Sequence, residues 1–347
     1  MPKRVLVTAA ARECPHGVAV AARCERLGLD VVELSGNRLT GLKTDDPRES
    51  YRLAKSTLFV HVAPPAARRP QPIPPSADWR IDLARGCPAH CQYCYLAGSL
   101  PGPPVTRAYA NLDEILAEVP THEDRGTVTS ASAERAHEGT TFEASCYTDP
   151  LGIEHLTGSL SATIEFFGAR ERSSLRFTTK FDDVEPLLGL AHNGRTRARF
   201  SVNARAVATG FEGGTAPIPA RLGALRRMAQ AGYPVGLTIA PIMPVPDWRD
   251  QYEDLLGAVA AATDGVPGLD LTVELITHRF TETSKQVLLD WYPATKLEMA
   301  EEQRSVKRTK FGSRKHVYPA PVMRDLRQFF EREIAERLPG ARLLYFT

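Results

Sequence analysis

What this sequence lacks narrows it first. No apolar run approaches the roughly 18 residues that a membrane span needs, so no membrane partner is expected. Cysteine is sparse: six in 347 residues is ordinary usage, not a disulfide scaffold. The start, Met1-Pro2-Lys3-Arg4-Val5-Leu6-Val7, is basic but has no sustained apolar stretch with a small-residue cleavage site. A reducing cytoplasm is the expected compartment. An excess of one charge is missing too. Lys and Arg number 43 against 41 Asp and Glu, a formal net charge of +2. A nucleic-acid partner is thus neither demanded nor excluded by the total, and local patches must decide it. No internal repeat is present, and no low-complexity tract beyond one proline-rich stretch. Hydrophobic content of 43% and charged content of 24% describe a globular chain, long enough for one large domain with or without an appendage.

What is there is more telling. The run Cys87-Pro88-Ala89-His90-Cys91-Gln92-Tyr93-Cys94 sets three cysteines at C-x3-C-x2-C spacing. Three thiolates can hold three irons of a cubic iron–sulfur cluster. The fourth iron is then open to bind a small molecule and pass it an electron. A structural zinc is the rival. It wants four ligands, usually as two C-x2-C pairs, and only Cys91 and Cys94 form such a pair. His90 could complete a site, while Cys14 and Cys24 make no second pair and are read as core thiols.

Short strands are expected at 4–8, 30–34 and 56–62, around an alanine-rich helix from Gly17 to Leu27. They make a small α/β unit over residues 1–76. It closes in Ala63 to Ser76, where prolines at 64, 65, 70, 72, 74 and 75 exclude regular structure. Over 77–347, strands are expected at 79–84, 141–146, 174–180, 198–202, 234–240 and 271–277. Helices are expected at 111–118, 153–167, 183–191, 217–231, 248–262 and 283–289. Six β-α units in a row predict a parallel sheet curled into an open partial (βα)6 barrel. Chemistry in such barrels gathers at the C-terminal strand ends. The Cys87–Cys94 loop follows the first of these strands, Cys146 ends the second, Lys180 the third, and Ser201 and Asn203 the fourth.

On these residues the chain resembles the radical S-adenosylmethionine enzymes, and more narrowly the spore photoproduct lyase family. The narrower resemblance rests on Arg85 to Leu96, Phe142-Glu143-Ala144-Ser145-Cys146, Asp149 to Leu156, His192 to Arg197, Glu274 to Thr281 and Tyr345-Phe346-Thr347. It runs over essentially the whole chain and is densest after Trp79. It implies an α/β fold: a partial barrel of radical S-adenosylmethionine type, with a small N-terminal α/β unit and a C-terminal extension of basic β-hairpin and helix. It implies a [4Fe-4S] cluster on Cys87, Cys91 and Cys94 with S-adenosyl-L-methionine at the open iron. The implied partners are DNA carrying 5-thyminyl-5,6-dihydrothymine and a reductant such as a flavodoxin or ferredoxin, for an enzyme acting as a monomer. The implied reaction is radical cleavage of the methylene bridge between the two thymines.

The resemblance also assigns residues. Cys146 matches the hydrogen-atom donor; a strand-end cysteine is otherwise most often a small buried hydrophobe. Tyr93 and Tyr95 match tyrosines that relay hydrogen so that the cofactor is regenerated, with Tyr93 beside it; otherwise they pack. Lys180 and Ser201 match the positions that hold the methionine carboxylate, which a cation and a hydroxyl suit. Thr148 falls where relatives often carry serine, near the amino group. Phe142-Glu143-Ala144-Ser145 stands where many of the wider superfamily carry Gly-Gly-Glu. The basic segment from Arg304 to Lys315 reads as a hairpin that grips DNA through Arg304, Lys310, Phe311, Arg314 and Lys315, and relatives often have Arg-Tyr at Lys310-Phe311. A charge run is also simply a solvated face, and Arg221, Arg226 and Arg227 on helix 217–231 are read that way. His278 and Arg279 suit a DNA contact or a structural hydrogen bond equally. Two other readings remain open: a radical enzyme with another substrate, and a zinc-stapled nucleic-acid-binding module.

Overall fold

The computed structural model describes residues 1–347 except 101, 103, 130 and 309–313. It divides into two compact, discontinuous units. The first comprises Met1–Pro88, Leu100–Thr179 and Asp183–Arg197, and the second Ala89–Ser99, Lys180–Asp182 and Ala198–Thr347. No helix among the described residues is long and apolar enough to cross a membrane.

In the first unit, the β-branched runs at the N-terminus form parallel strands, because such side chains pack well on a pleated surface. Asp30–Leu34, Arg4–Thr8, Thr57–His61 and Thr106–Tyr109 lie in that order, and Ala84–Arg85 closes the edge antiparallel. One face buries Val5, Val7, Val20, Leu58 and Val60, with Cys24 wholly inside and Cys14 against the cluster. Burial pushes the Cys24 thiol up to about 11. Both cysteines are therefore core thiols, as expected, and offer zinc no second pair. The last two strands of this sheet flank the Cys87 loop, so the loop's root is part of the N-terminal sheet.

A second set of strands in this unit runs Gln71–Ile73, Ala77–Ile81, Thr140–Ala144 and Ser173–Thr179, parallel after the first pair. The proline-rich stretch is thus more ordered than expected. Pro65 opens a four-residue helix, Pro65–Arg68, where a first-turn proline loses no hydrogen bond. Pro72 sits in an edge strand, where its missing donor is tolerated. The helix expected at 153–167 is broken into Glu154–Thr157 and Ser159–Gly168 by Gly158, at φ 64°. The helix expected at 183–191 is only the 3₁₀ turn Glu185–Leu187. Pro186 supplies no amide and Gly189 disfavours continuation.

The strand Thr196–Val202 begins in the first unit and ends in the second. Within the second unit it pairs in parallel with Val235–Ile242, followed by Leu271–Thr277 and Arg342–Phe346. The last strand was not expected, since one short aromatic run at a terminus carries no period of its own. Helices Ile218–Gln230, Trp248–Thr263 and Glu282–Trp291 agree with the expected spans. Arg221 does not agree with the solvated face assigned to it: it is 1% exposed. Arg227 is exposed, and Arg226 donates to the carbonyls of Ala262 and Asp264 at the end of the next helix. The basic hairpin is present as Ser305–Arg308 against Arg314–Val317, with Lys307 opposite Lys315 and Arg308 opposite Arg314. Helix Ala320–Arg337 follows it. Lys310 and Phe311 lie outside the described residues.

Candidate active site

The cysteine loop is anchored at both ends. Gly86 takes φ 79°, and a Cβ there would collide with the Val105 carbonyl, so only glycine fits ahead of Cys87. The Lys55 ammonium donates to the Cys87 carbonyl at 2.6 Å. In the second unit, His90–Cys91 forms a two-residue antiparallel strand with Glu212–Gly213. The Cys94 amide then turns back to the Cys91 carbonyl at 3.3 Å. None of the six cysteines is in a disulfide. Reduced thiols at C-x3-C-x2-C spacing fit an iron–sulfur cluster.

Three residues converge on Glu212, whose side chain is fully buried. Lys180 donates to it at 3.2 Å. Arg221 donates to its other oxygen at 2.6 Å. The Tyr93 hydroxyl donates to the oxygen that Lys180 uses. Lys180 donates also to Ser201 Oγ at 2.6 Å and to the Ala240 carbonyl at 3.4 Å. Burial alone would raise the Glu212 carboxyl; Lys180, Arg221 and the Tyr93 hydroxyl outweigh it and hold it below the usual range. Burial, with Cys91 and Glu212 adding, pushes the Tyr93 phenol well above its ordinary value. Ser201 takes its bond from Lys180 as an acceptor. Its own proton is left to donate to an anion beside the ammonium, which fits a carboxylate ligand. Tyr95 differs from Tyr93: it is 57% exposed.

Neither Glu212 nor the burial of Arg221 was legible. Glu212 lies in Phe211-Glu212-Gly213-Gly214, which reads as a turn, and Arg221 reads as one of three similar helix cations. Arg221 is held inside by the carbonyls of Ala216 and Ser201 at 2.7 and 2.8 Å as well as by Glu212.

In the first unit, strand Thr140–Ala144 runs into Ser145, a non-glycine at φ 56°. That conformation is sterically costly and is held by Ser145 N to the Ile81 carbonyl at 2.7 Å and Leu83 N to Ser145 Oγ at 2.9 Å. Half-buried Cys146 follows at once. Thr148 N returns to the Ser145 carbonyl at 3.0 Å, and Asp149 accepts from Thr179 Oγ1 at 2.8 Å. Tyr147 lies under the Arg80 and Arg85 guanidinium groups, 4.4 and 5.2 Å from its ring centre. The Thr148 hydroxyl is buried with no hydrogen-bond partner among the described residues. A buried hydroxyl left so costs about 1–3 kcal/mol, and a ligand amine there would satisfy it.

At the hairpin, Lys307, Arg308 and Arg314 are exposed and Lys315 is half-buried. Burial, then Arg279 and Lys307, lower the Lys315 ammonium. Arg304, expected among the DNA contacts, is instead buried at the hairpin's base. It donates to Glu298 at 3.2 Å and to the His278 carbonyl at 3.1 Å, and stacks 3.7 Å from the Tyr318 ring centre. Burial and Arg304 lower the His278 imidazole to about 3. His278 is thus a neutral structural partner of Arg304.

A family model described as spore photoproduct lyase matches residues 1–347. The spore photoproduct lyase of Geobacillus sp. (strain Y412MC61) is 41% identical over 348 residues, covering 100% of this chain and 99% of its own. That of Bacillus subtilis (strain 168) is 38% identical over 348 residues, covering 100% and 98%. The structure of a spore photoproduct lyase complexed with dinucleoside spore photoproduct matches with a TM-score of 0.92 at 39% identity, over 100% of this chain and 99% of that one. A double-mutant spore photoproduct lyase with bound AdoMet and dinucleoside spore photoproduct matches at 0.91 and 38% identity, with the same coverage. At that likeness the partial-barrel α/β class expected from the strand alternation is the fold of this chain.

Proposed function

This chain belongs to the spore photoproduct lyase family, and on that premise we propose that it repairs 5-thyminyl-5,6-dihydrothymine in DNA by cleaving the methylene bridge. Cys87, Cys91 and Cys94 would hold a [4Fe-4S] cluster, and Lys180, Ser201 and Thr148 would hold S-adenosylmethionine. When bound, that pair supplies a 5′-deoxyadenosyl radical, which can take a hydrogen atom from C6 of the dihydrothymine ring. The bridge then breaks, leaving a radical on the methylene carbon of the other thymine. Cys146 gives that carbon a hydrogen atom from its weak S–H bond. Tyr93 and Tyr95 would then pass a hydrogen atom from 5′-deoxyadenosine to the Cys146 thiyl radical, which restores the thiol and lets the cofactor be reused.

The chain's own residues set the geometry for these steps. Glu212 fixes Lys180 and Tyr93 through one carboxylate oxygen. Lys180 and Ser201 present a cation and a donor to the methionine carboxylate. Ser145, held in its left-handed conformation, aims the Cys146–Asp149 turn. The hairpin cations meet the phosphates: Lys307 faces Lys315 and Arg308 faces Arg314, and such like-charge pairs destabilise a hairpin alone but suit a polyanion. Lys310 and Phe311 belong to the same contact. Arg304 anchors the hairpin instead of touching DNA. The lesion is flipped out to meet the radical, because chemistry on a base needs its ring exposed. We place the enzyme in the cytoplasm as a monomer, reduced by a flavodoxin or ferredoxin; thiols without disulfides support a reducing compartment.

The observation that carries this reading is the Ser145–Thr148 turn, with a half-buried thiol two residues from an unsatisfied buried hydroxyl. The test is anaerobic. Dithionite-reduced protein, S-adenosylmethionine and a synthetic thymine-methylene-thymine dinucleotide should release two unlinked thymines. Cofactor cleavage with the dinucleotide left intact would overturn the substrate assignment.

A further inference from the structure

Beside the hairpin's base lie three groups that neither the lesion chemistry nor the phosphate contacts use. His316 stands on strand Arg314–Val317, Glu282 opens helix Glu282–Trp291, and Glu301 opens the 3₁₀ turn Glu301–Gln303. His316 is 4% exposed, yet neither ring nitrogen has a hydrogen-bond partner among the described residues. A buried polar group left so costs about 1–3 kcal/mol. Its Nε2 lies 3.8 Å from a Glu282 carboxylate oxygen and 3.9 Å from one of Glu301. The three ligand atoms all fall within 4.8 Å of one another. These separations are too long for hydrogen bonds. The two separations from Nε2, 3.8 and 3.9 Å, suit atoms that share an ion: two bonds of about 2.1 Å to nitrogen and oxygen ligands span up to about 4 Å.

The arrangement is held from outside the cluster. The His316 ring stacks on Phe280, with centres 5.0 Å apart and planes 12° apart. Phe280 and His316 also exchange backbone hydrogen bonds of 2.8 and 3.2 Å. The ring therefore cannot turn to seek another partner. Glu282 is fixed by the capping box of Thr281 and Ser284 ahead of its helix. Glu301 uses Oε1 for the Lys285 ammonium at 2.9 Å and turns Oε2 to His316. Two carboxylates, one imidazole and one neighbouring ammonium leave the cluster one negative charge with the ring neutral. Glu282 is exposed and Glu301 half-buried, so an ion has a path in and water a place in its shell.

We propose that Glu282, Glu301 and His316 bind a divalent transition-metal ion, zinc by ligand type, which ties the inner hairpin strand to the helix behind it. An imidazole beside carboxylates suits zinc, whereas magnesium and calcium prefer an all-oxygen shell.

The test uses cluster-loaded protein, whose cluster cysteines are closed to zinc. Zinc is titrated in, the excess is removed by gel filtration, and the metals are counted by elemental analysis. One zinc per chain is expected beyond the irons. His316→Gln should weaken zinc binding at least about tenfold, with the cluster's visible absorbance unchanged. Glu282→Gln, at an exposed position, and Glu301→Gln, at a half-buried one, should do the same. Absence of saturable uptake by the parent overturns the site. Undiminished uptake in both Glu282→Gln and Glu301→Gln overturns it equally.

Discussion

Glu212 accepts a hydrogen bond from the Lys180 ammonium at 3.2 Å, with a side chain that solvent does not reach. The pair joins a strand-end lysine to a carboxylate 32 residues further on, and Arg221 shares the same carboxylate.

The first prediction follows from that carboxylate. Removing one partner from a buried ion pair costs about 3–5 kcal/mol, because the other charge is left uncompensated. Glu212→Ala should lower the urea-unfolding free energy by about that much near neutral pH. The Glu212 carboxyl is held below its usual range in the folded protein. Its contribution is therefore complete above the unfolded value of roughly 4.3 and is lost as the pH falls through the folded one. The gap between parent and variant should narrow in acid. An equal gap at neutral and at acid pH would exclude an ionised Glu212 as its source.

A second prediction concerns Thr148, whose hydroxyl is buried without a partner among the described residues. Thr148→Val keeps the shape and removes the unsatisfied group. Without S-adenosylmethionine the variant should be as stable as the parent or more so. Its affinity for S-adenosylmethionine should fall by about fivefold to tenfold, the loss of roughly one hydrogen bond. Calorimetry in both states checks the two signs. A variant less stable without the cofactor and unchanged in affinity would assign the hydroxyl to the fold alone.

The contrast between what could and could not be read from the residues has a physical cause. Leu271–Thr277 was found to the residue, because a buried parallel strand is a continuous apolar and β-branched run. The cysteine loop was legible because cluster ligands need a fixed local spacing. Glu212, Arg221 and Arg304 were not, because each owes its role to partners distant in sequence. A charged residue looks the same in a sequence whether solvent or a buried counter-ion meets it. The short strands Ala84–Arg85 and Thr106–Tyr109 escaped for a related reason: they exist only through pairing with each other and with Thr57–His61.

A third prediction separates anchor from contact in the hairpin. Arg314 is exposed and is read as a phosphate contact. Arg314→Ala should weaken DNA binding and reduce the dependence of log affinity on log salt by about one unit of slope. Arg304 is buried against Glu298, His278 and Tyr318. Arg304→Ala should weaken DNA binding with the slope kept, and should lower unfolding stability as well, which Arg314→Ala should not. A loss of slope on replacing Arg304 would return it to the phosphate contacts.

The two tyrosines of the cluster loop allow the last separation, because their surroundings differ. The Tyr93 hydroxyl donates to a buried carboxylate, whereas Tyr95 is 57% exposed. Tyr93→Phe should cost about 1.5–3 kcal/mol, as expected for a hydrogen bond to a charged group. Tyr95→Phe should change stability by less than about 0.5 kcal/mol. Packing roles alone would leave turnover following stability, so Tyr95→Phe would be silent. A relay predicts otherwise: both variants complete a first turnover, and both then consume more S-adenosylmethionine for each lesion repaired. Counting 5′-deoxyadenosine against released thymine over many turnovers decides between them. A parental ratio in Tyr95→Phe would remove Tyr95 from the hydrogen path and leave Tyr93 to be judged alone.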